Sequence, residues 1–194
     1  MADKEEEEKD EGLDENGLVI HEYASTVLVV MPSKEYDETT LRYARSALYN
    51  VHVHTHSVST ETDELIEGVL QDEFQVDKAL DDSVRMDEYS GVLFCGGPGS
   101  VELAQNDAAL RLAREAASAG KLIGAWGESV EVLARAGVLQ KRKVTGAPRL
   151  ASAVKSAGGR YQKAQVVRDE NIVTAVDDAA GFRFGKLLVQ VVAI

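Results

Sequence analysis

The chain of 194 residues has one cysteine, Cys95, so an intramolecular disulfide is excluded and a reducing, cytoplasmic compartment is expected. It has no apolar run long enough to span a bilayer or to serve as a signal segment, which argues against membrane insertion and export. It has no histidine beyond His56, so any chemistry in the later two thirds must do without an imidazole from that stretch. Basic residues are also scarce, with 21 Lys and Arg against 33 Asp and Glu and a formal net charge of -12. Such a surface repels phosphate backbones, and nucleic acid is excluded as a partner held by charge.

Much of the acidity is concentrated at the start. Residues 1–16 carry nine acids against Lys4 and Lys9, whereas the rest of the chain carries 24 acids and 19 bases. A segment such as Glu5 to Glu8 has almost nothing apolar to offset its ordering entropy, so residues 1–22 are expected to form a disordered acidic tail. Residues 23–194, in a chain that is 44% hydrophobic, suffice for one domain with a single substantial core.

The body alternates strand and helix patterns. Ser25 to Met31 is a β-branched run stopped by Pro32, and Asp37-Glu38-Thr39-Thr40 introduces a helix with Leu41, Ala44, Ala47 and Leu48 on one face. Asn50 to Val58 alternates as a second strand, and Glu64 to Leu70 with Phe74 to Ala79 reads as a small strand pair spliced into the series. Tyr89 to Cys95 is a buried strand closed by Gly96-Gly97-Pro98-Gly99, and Val101 to Ala119 has helical periodicity up to Gly120. Leu122 to Trp126 and Val130 to Ala136 follow as strand and helix. Short strands are expected at Arg142 to Thr145, Gln165 to Arg168 and Ile172 to Ala175, with helices at Ala151 to Gly158 and Ala180 to Val192. The alternation predicts a mainly parallel sheet with helices on both faces, and ligands at the carboxyl ends of its strands.

One turn carries most of the chemical information. In Lys121-Leu122-Ile123-Gly124-Ala125-Trp126-Gly127-Glu128-Ser129 an apolar strand stops at a glycine and becomes a helix at once, the layout of a nucleophile elbow. Its apex is Gly127, which has no side chain to attack with. Gly127-Glu128-Ser129-Val130-Glu131 also matches the start of an esterase G-x-S-x-G elbow, but the final glycine is Glu131 and no histidine follows, so Ser129 reads as a polar residue of the first helical turn. Cys95 reads as a small buried hydrophobe, with a displaced reactive thiol as the alternative. On a strand His52, His54 and His56 would share one face at a spacing that could grip zinc or nickel. A solvated polar face is the simpler reading, and no metal or cofactor is expected. Trp126 reads as core or cavity wall.

These parts in this order resemble the ThiJ/PfpI family of intracellular proteases and glyoxalase/deglycase proteins, in the flavodoxin-like class I glutamine amidotransferase superfamily. The resemblance rests on Val27-Leu28-Val29-Val30-Met31-Pro32, on Asp87-Glu88-Tyr89-Ser90-Gly91-Val92-Leu93-Phe94-Cys95-Gly96-Gly97, and on Gly120-Lys121 before the elbow strand. It continues through Leu133 to Leu139, Lys143-Val144-Thr145 and Asn171 to Ala175. It implies a flavodoxin-like three-layer α/β sandwich and a homodimer or higher homo-oligomer. It places the family's cysteine at Gly127 and its acidic partner at Tyr36, flanked by Glu35 and Asp37. The histidine that many members carry falls at Gly146 or Ala147. The implied ligand-binding set is Gly96, Gly97, Trp126, Gly127, Glu128 and Tyr36, around backbone N–H groups that would meet a small carbonyl or carboxylate ligand. The expected role is non-catalytic: small-ligand binding, regulation or structural association. The alternative is a glyoxalase, deglycase or amidase-type enzyme using Cys95 or a water activated by Glu128 or Glu35.

Overall fold

The computed structural model describes residues 23–62 and 65–192, and the expected acidic tail lies outside them. The elements are β1 (Ser25–Val30), α1 (Glu38–Tyr49), β2 (Val53–Ser59), β3 (Ile66–Glu67), β4 (Glu73–Phe74), β5 (Lys78–Ala79), β6 (Gly91–Phe94), α2 (Asp107–Ser118), β7 (Leu122–Trp126) and α3 (Val130–Ala136). They continue with β8 (Lys143–Val144), α4 (Ala151–Ser156), β9 (Arg160–Tyr161), β10 (Val166–Asp169), β11 (Ile172–Ala175) and α5 (Gly181–Val192).

Seven strands form the central sheet in the order β10-β11-β7-β6-β1-β2-β5. All pairs are parallel except β10 with β11, which face each other across Glu170 and Asn171. A two-residue link has no room for a crossover, so this pair closes as an antiparallel hairpin. Strand alternation sends the two faces into separate cores. Leu28, Val30, Val92, Phe94, Ile123 and Ala125 pack with Leu112 of α2 and Leu133 of α3, whereas Val27, Val29, Leu93, Trp126 and Val173 pack with Leu41 and Leu48 of α1 and Phe184 and Leu188 of α5. This is the expected flavodoxin-like arrangement of three layers.

Three expectations are corrected in detail. The helix expected from Val101 to Ala119 is divided: a 3-10 helix runs from Pro98 to Gln105, and Asn106 then caps α2 by accepting from Ala109 N at 3.0 Å. The strand expected from Arg142 to Thr145 shortens to β8 and pairs with β9 outside the central sheet. His52 precedes β2 in a turn with φ 58°, so the three histidines do not share a strand face. His54 lies against the Tyr23 ring at 4.8 Å, and His56 Nδ1 is 3.1 Å from the Tyr89 hydroxyl. Among the described residues no three His, Cys, Asp or Glu side chains are grouped to hold a metal ion, and no helix is long and apolar enough to cross a membrane.

Candidate functional site

Every residue of β7 is buried, and the strand ends in Gly127 at φ 60°. That is the left-handed region, which a glycine adopts without the crowding a Cβ brings. A 3-10 turn over Gly127–Ser129 then leads directly into α3. Ser129 fixes this elbow from below. Its buried hydroxyl donates to Phe94 O at 2.7 Å with Trp126 O at 2.9 Å, and accepts from Trp126 N at 3.2 Å. These bonds tie the end of β7 to the end of β6, so Ser129 acts as a strut. A Cβ at Gly127 would meet nothing nearer than Val176 O, at 3.9 Å.

The second glycine turn lies at the carboxyl end of the neighbouring strand. Gly97 has φ 108°, and a Cβ there would stand 2.3 Å from Glu35 O and 2.7 Å from Asp37 N. Only a glycine lets the backbone after β6 touch the loop after β1, where Asp37 N donates to Gly96 O at 3.0 Å. Gly96 lies under the Trp126 indole, 2.5 Å from its Cδ1 if a Cβ is added. Gly97 and Gly127 therefore border one cavity of about 500 Å³ at the carboxyl edge of the sheet.

The walls of this cavity are apolar at Val69, Leu70, Val101, Trp126, Pro148 and Val176, and its charged groups are Asp37, Glu38, Glu128, Asp177, Asp178 and Arg149. Arg149 pairs with Glu128 and with Glu131, the latter at 3.4 Å. Trp126 Nε1 donates to Asp37 Oδ2 at 2.9 Å, and Asp37 Oδ1 caps α1 by accepting from Thr40 N at 3.1 Å. Burial pushes the Asp37 carboxyl above its ordinary value; Asp178 adds to the rise, and the bonds from Thr40 and Trp126 oppose it. The folded state thus holds this proton more tightly than the unfolded chain. Asp37 contributes stability below the unfolded value near 4, and that contribution is lost as pH rises through the folded one. Urea denaturation should show the stability of wild type relative to Asp37→Asn falling between pH 4 and pH 7; a difference that grows with pH would reverse the sign.

Of the residues expected at the site, Gly97, Trp126, Gly127 and Glu128 line the cavity and Gly96 packs beneath it. Tyr36 does not. Its ring is edge-on to Phe74 at 5.9 Å, its hydroxyl donates to Asp72 O at 3.2 Å, and it lines a different cavity with Arg42 and Arg45. Burial, with Glu38 and Asp72 nearby, pushes its phenol up to about 12. Glu35 is turned out to solvent at φ 49° and is absent from the walls. Cys95 is fully buried, and burial with Asp37 nearby pushes its thiol well above the usual value. A thiol held protonated inside the core is a poor nucleophile.

As site residues, sequence reasoning missed Glu38, Arg149, Asp177 and Asp178, and brought Asp37 to the site only as a flank of Tyr36. Glu38 opens α1 and is only 4% exposed; its Oε1 accepts from Leu70 N at 2.5 Å, and its carboxyl packs against Gly68. The available signal was its place in the first helical turn after β1, because such turns open at the carboxyl edge of a parallel sheet.

Known proteins share this fold. The chain is 33% identical to an uncharacterized protein of Methanocaldococcus jannaschii over 152 residues, 77% of this chain and 73% of the relative. It is 31% identical to a deglycase of Pyrococcus horikoshii over 94 residues, 48% of this chain and 57% of the relative. The crystal structure of a ThiJ/PfpI domain protein from Brachyspira murdochii superposes with a TM-score of 0.82 at 23% identity, covering 88% of this chain and 98% of that one. Drosophila melanogaster DJ-1beta superposes with a TM-score of 0.76 at 22% identity, covering 88% and 91%. The model of the DJ-1/PfpI family matches residues 25–191, and the chain belongs to that family.

Proposed function

We propose that this protein is a non-catalytic member of its family, a homo-oligomer that binds a small molecule non-covalently in the cavity between Gly97 and Gly127. The observation that carries this reading is the apex itself. Gly127 holds the left-handed turn of an elbow, with open space where a side chain would project, yet supplies no nucleophile, and the only thiol, Cys95, is sealed in the core. Covalent catalysis needs an activated nucleophile within reach of the ligand. Deglycase activity that depends on a cysteine is therefore expected to be absent, although the relative from Pyrococcus horikoshii is named a deglycase.

The rival reading is an enzyme that activates a water with a carboxylate, and it draws support from Glu128 and Glu38 on the cavity wall. Methylglyoxal turnover separates the two. We expect no rate above background, whether or not the protein has been treated with iodoacetamide. A rate abolished by alkylation would assign the chemistry to Cys95, and one that survives it would favour the carboxylate enzyme. Ligand binding is read by thermal shift and by the fluorescence of Trp126, the sole tryptophan and part of the wall.

A further inference from the structure

One segment of this acidic protein carries charge of the opposite sign. Residues 132–168 hold nine Lys and Arg and no Asp or Glu, in a chain of net charge -12. Arg135, Arg142 and Arg149 are ion-paired with acids outside the segment: Glu131, then Asp169 and Glu170, then Glu128 and Glu131. Lys155 and Lys163 have no ion-pair partner among the described residues, and both border a second cavity, of about 480 Å³. Ala151 and Lys155 lie one turn apart on α4 and so present the same helix face to it. Tyr161 of β9, Ala164, Pro148 and Val176 complete its apolar lining, and no acid lines it. Pro148 and Val176 also line the cavity between the glycine turns, so the two are neighbours.

The polar groups of the wall are matched on one side only. Thr145 Oγ1 donates to Ala164 O at 2.7 Å, the Tyr161 hydroxyl to Gly146 O at 2.8 Å, and Val176 N to Gln165 O at 2.9 Å; Gln165 Oε1 accepts from Arg183 at 3.1 Å. These acceptors are engaged, and what is left over is donors. An ammonium has hydrogens to give and no lone pair to offer, and the N–H groups of Lys163 and Ala164 meet no acceptor among the described residues. We propose that this second cavity binds an organic carboxylate, with its oxygens on the Nζ atoms of Lys155 and Lys163 and its hydrocarbon body against Pro148, Ala151, Tyr161 and Val176. The flexible stems of two lysines let both ammoniums converge on one head group. An organic cation would meet two like charges and no acid. Inorganic phosphate would leave the apolar lining bare, whereas a carboxylate with a hydrocarbon body satisfies both parts of it. This site stands apart from the cavity between the glycine turns and does not rest on the reading of that one.

Octanoate, octanol and octylammonium share one hydrocarbon chain and differ in head-group charge, and ligand-observed NMR titration of the full chain at pH 7 gives the affinity of each. Octanoate should bind saturably and at least tenfold more tightly than octanol, with octylammonium weakest. The net charge of the protein on its own would give the reverse order, so the order reports the local lysines. Replacing both lysines, Lys155→Met with Lys163→Met, keeps their apolar stems and should weaken octanoate at least fivefold while leaving octanol within twofold. Both positions are exposed, so the fold should survive the change. Ala151→Leu narrows the cavity and should weaken octanoate and octanol together. No saturable binding of octanoate, octanol or octylammonium binding as tightly as octanoate, or octanoate affinity unchanged in either variant overturns the proposal.

Discussion

Trp126→Ala should lower stability by about 4 kcal/mol, the range seen when a fully buried large aromatic is truncated. The indole is fully buried, tilted against Phe184 with ring centroids 5.3 Å apart, and lies directly over Gly96. Removing it opens a void that those two neighbours cannot fill, because Phe184 is anchored in α5 and Gly96 has no side chain. It also strips Asp37 Oδ2 of its donor while the carboxyl stays partly buried. Trp126→Phe separates the two contributions: most of the packing is retained and the bond to Asp37 is lost, so a loss of about 1 to 2 kcal/mol is expected. Urea denaturation followed by circular dichroism reads both variants, since the only tryptophan is gone. A loss below about 1 kcal/mol for the alanine variant would mean that the elbow strand does not depend on this side chain.

How far the sequence revealed the site depends on how local each feature is. The elbow was legible because it is written in consecutive residues: a buried run, then Gly127, then a helical pattern, with Gly96-Gly97 closing the neighbouring strand in the same manner. The carboxylates were harder. Glu38 is one acid in Asp37-Glu38-Thr39-Thr40, and its burial depends on Gly68 and Leu70, about thirty residues away in the loop between β3 and β4. Nothing near Glu38 in the chain encodes that contact. The family resemblance placed Tyr36 at the site, but the left-handed backbone at Glu35 turns the chain there, so Tyr36 faces Phe74 while Asp37 and Glu38 reach the cavity. Asn106 shows the same limit: periodicity ran through it, while its cap on Ala109 N starts a new helix. Residue type gave the sheet and the turns, and contacts between distant segments decided which side chains share the cavity.

Gly127→Cys should create a thiol that iodoacetamide labels in the native protein, at a rate orders of magnitude above that of Cys95. The wild type supplies its own control, because Cys95 is fully buried and its thiol is held protonated. Steric overlap is not the obstacle at Gly127, since the nearest atom to a Cβ is Val176 O at 3.9 Å. The obstacle is the backbone: φ is 60°, and a residue with a Cβ in that region costs about 1 to 2 kcal/mol, which urea denaturation would read. Two opposing fields act on the new sulfur. The amides that open the turn after Gly127 favour a thiolate. Asp37, Glu38 and Glu128 on the surrounding wall oppose it. Near-cancellation sets the expected midpoint of labelling rate against pH at about 7 to 8.5, at or modestly below a free thiol. A variant with no loss of stability and a thiol that resists labelling would mean that position 127 is neither strained nor open to the cavity, and the elbow reading would fall with it.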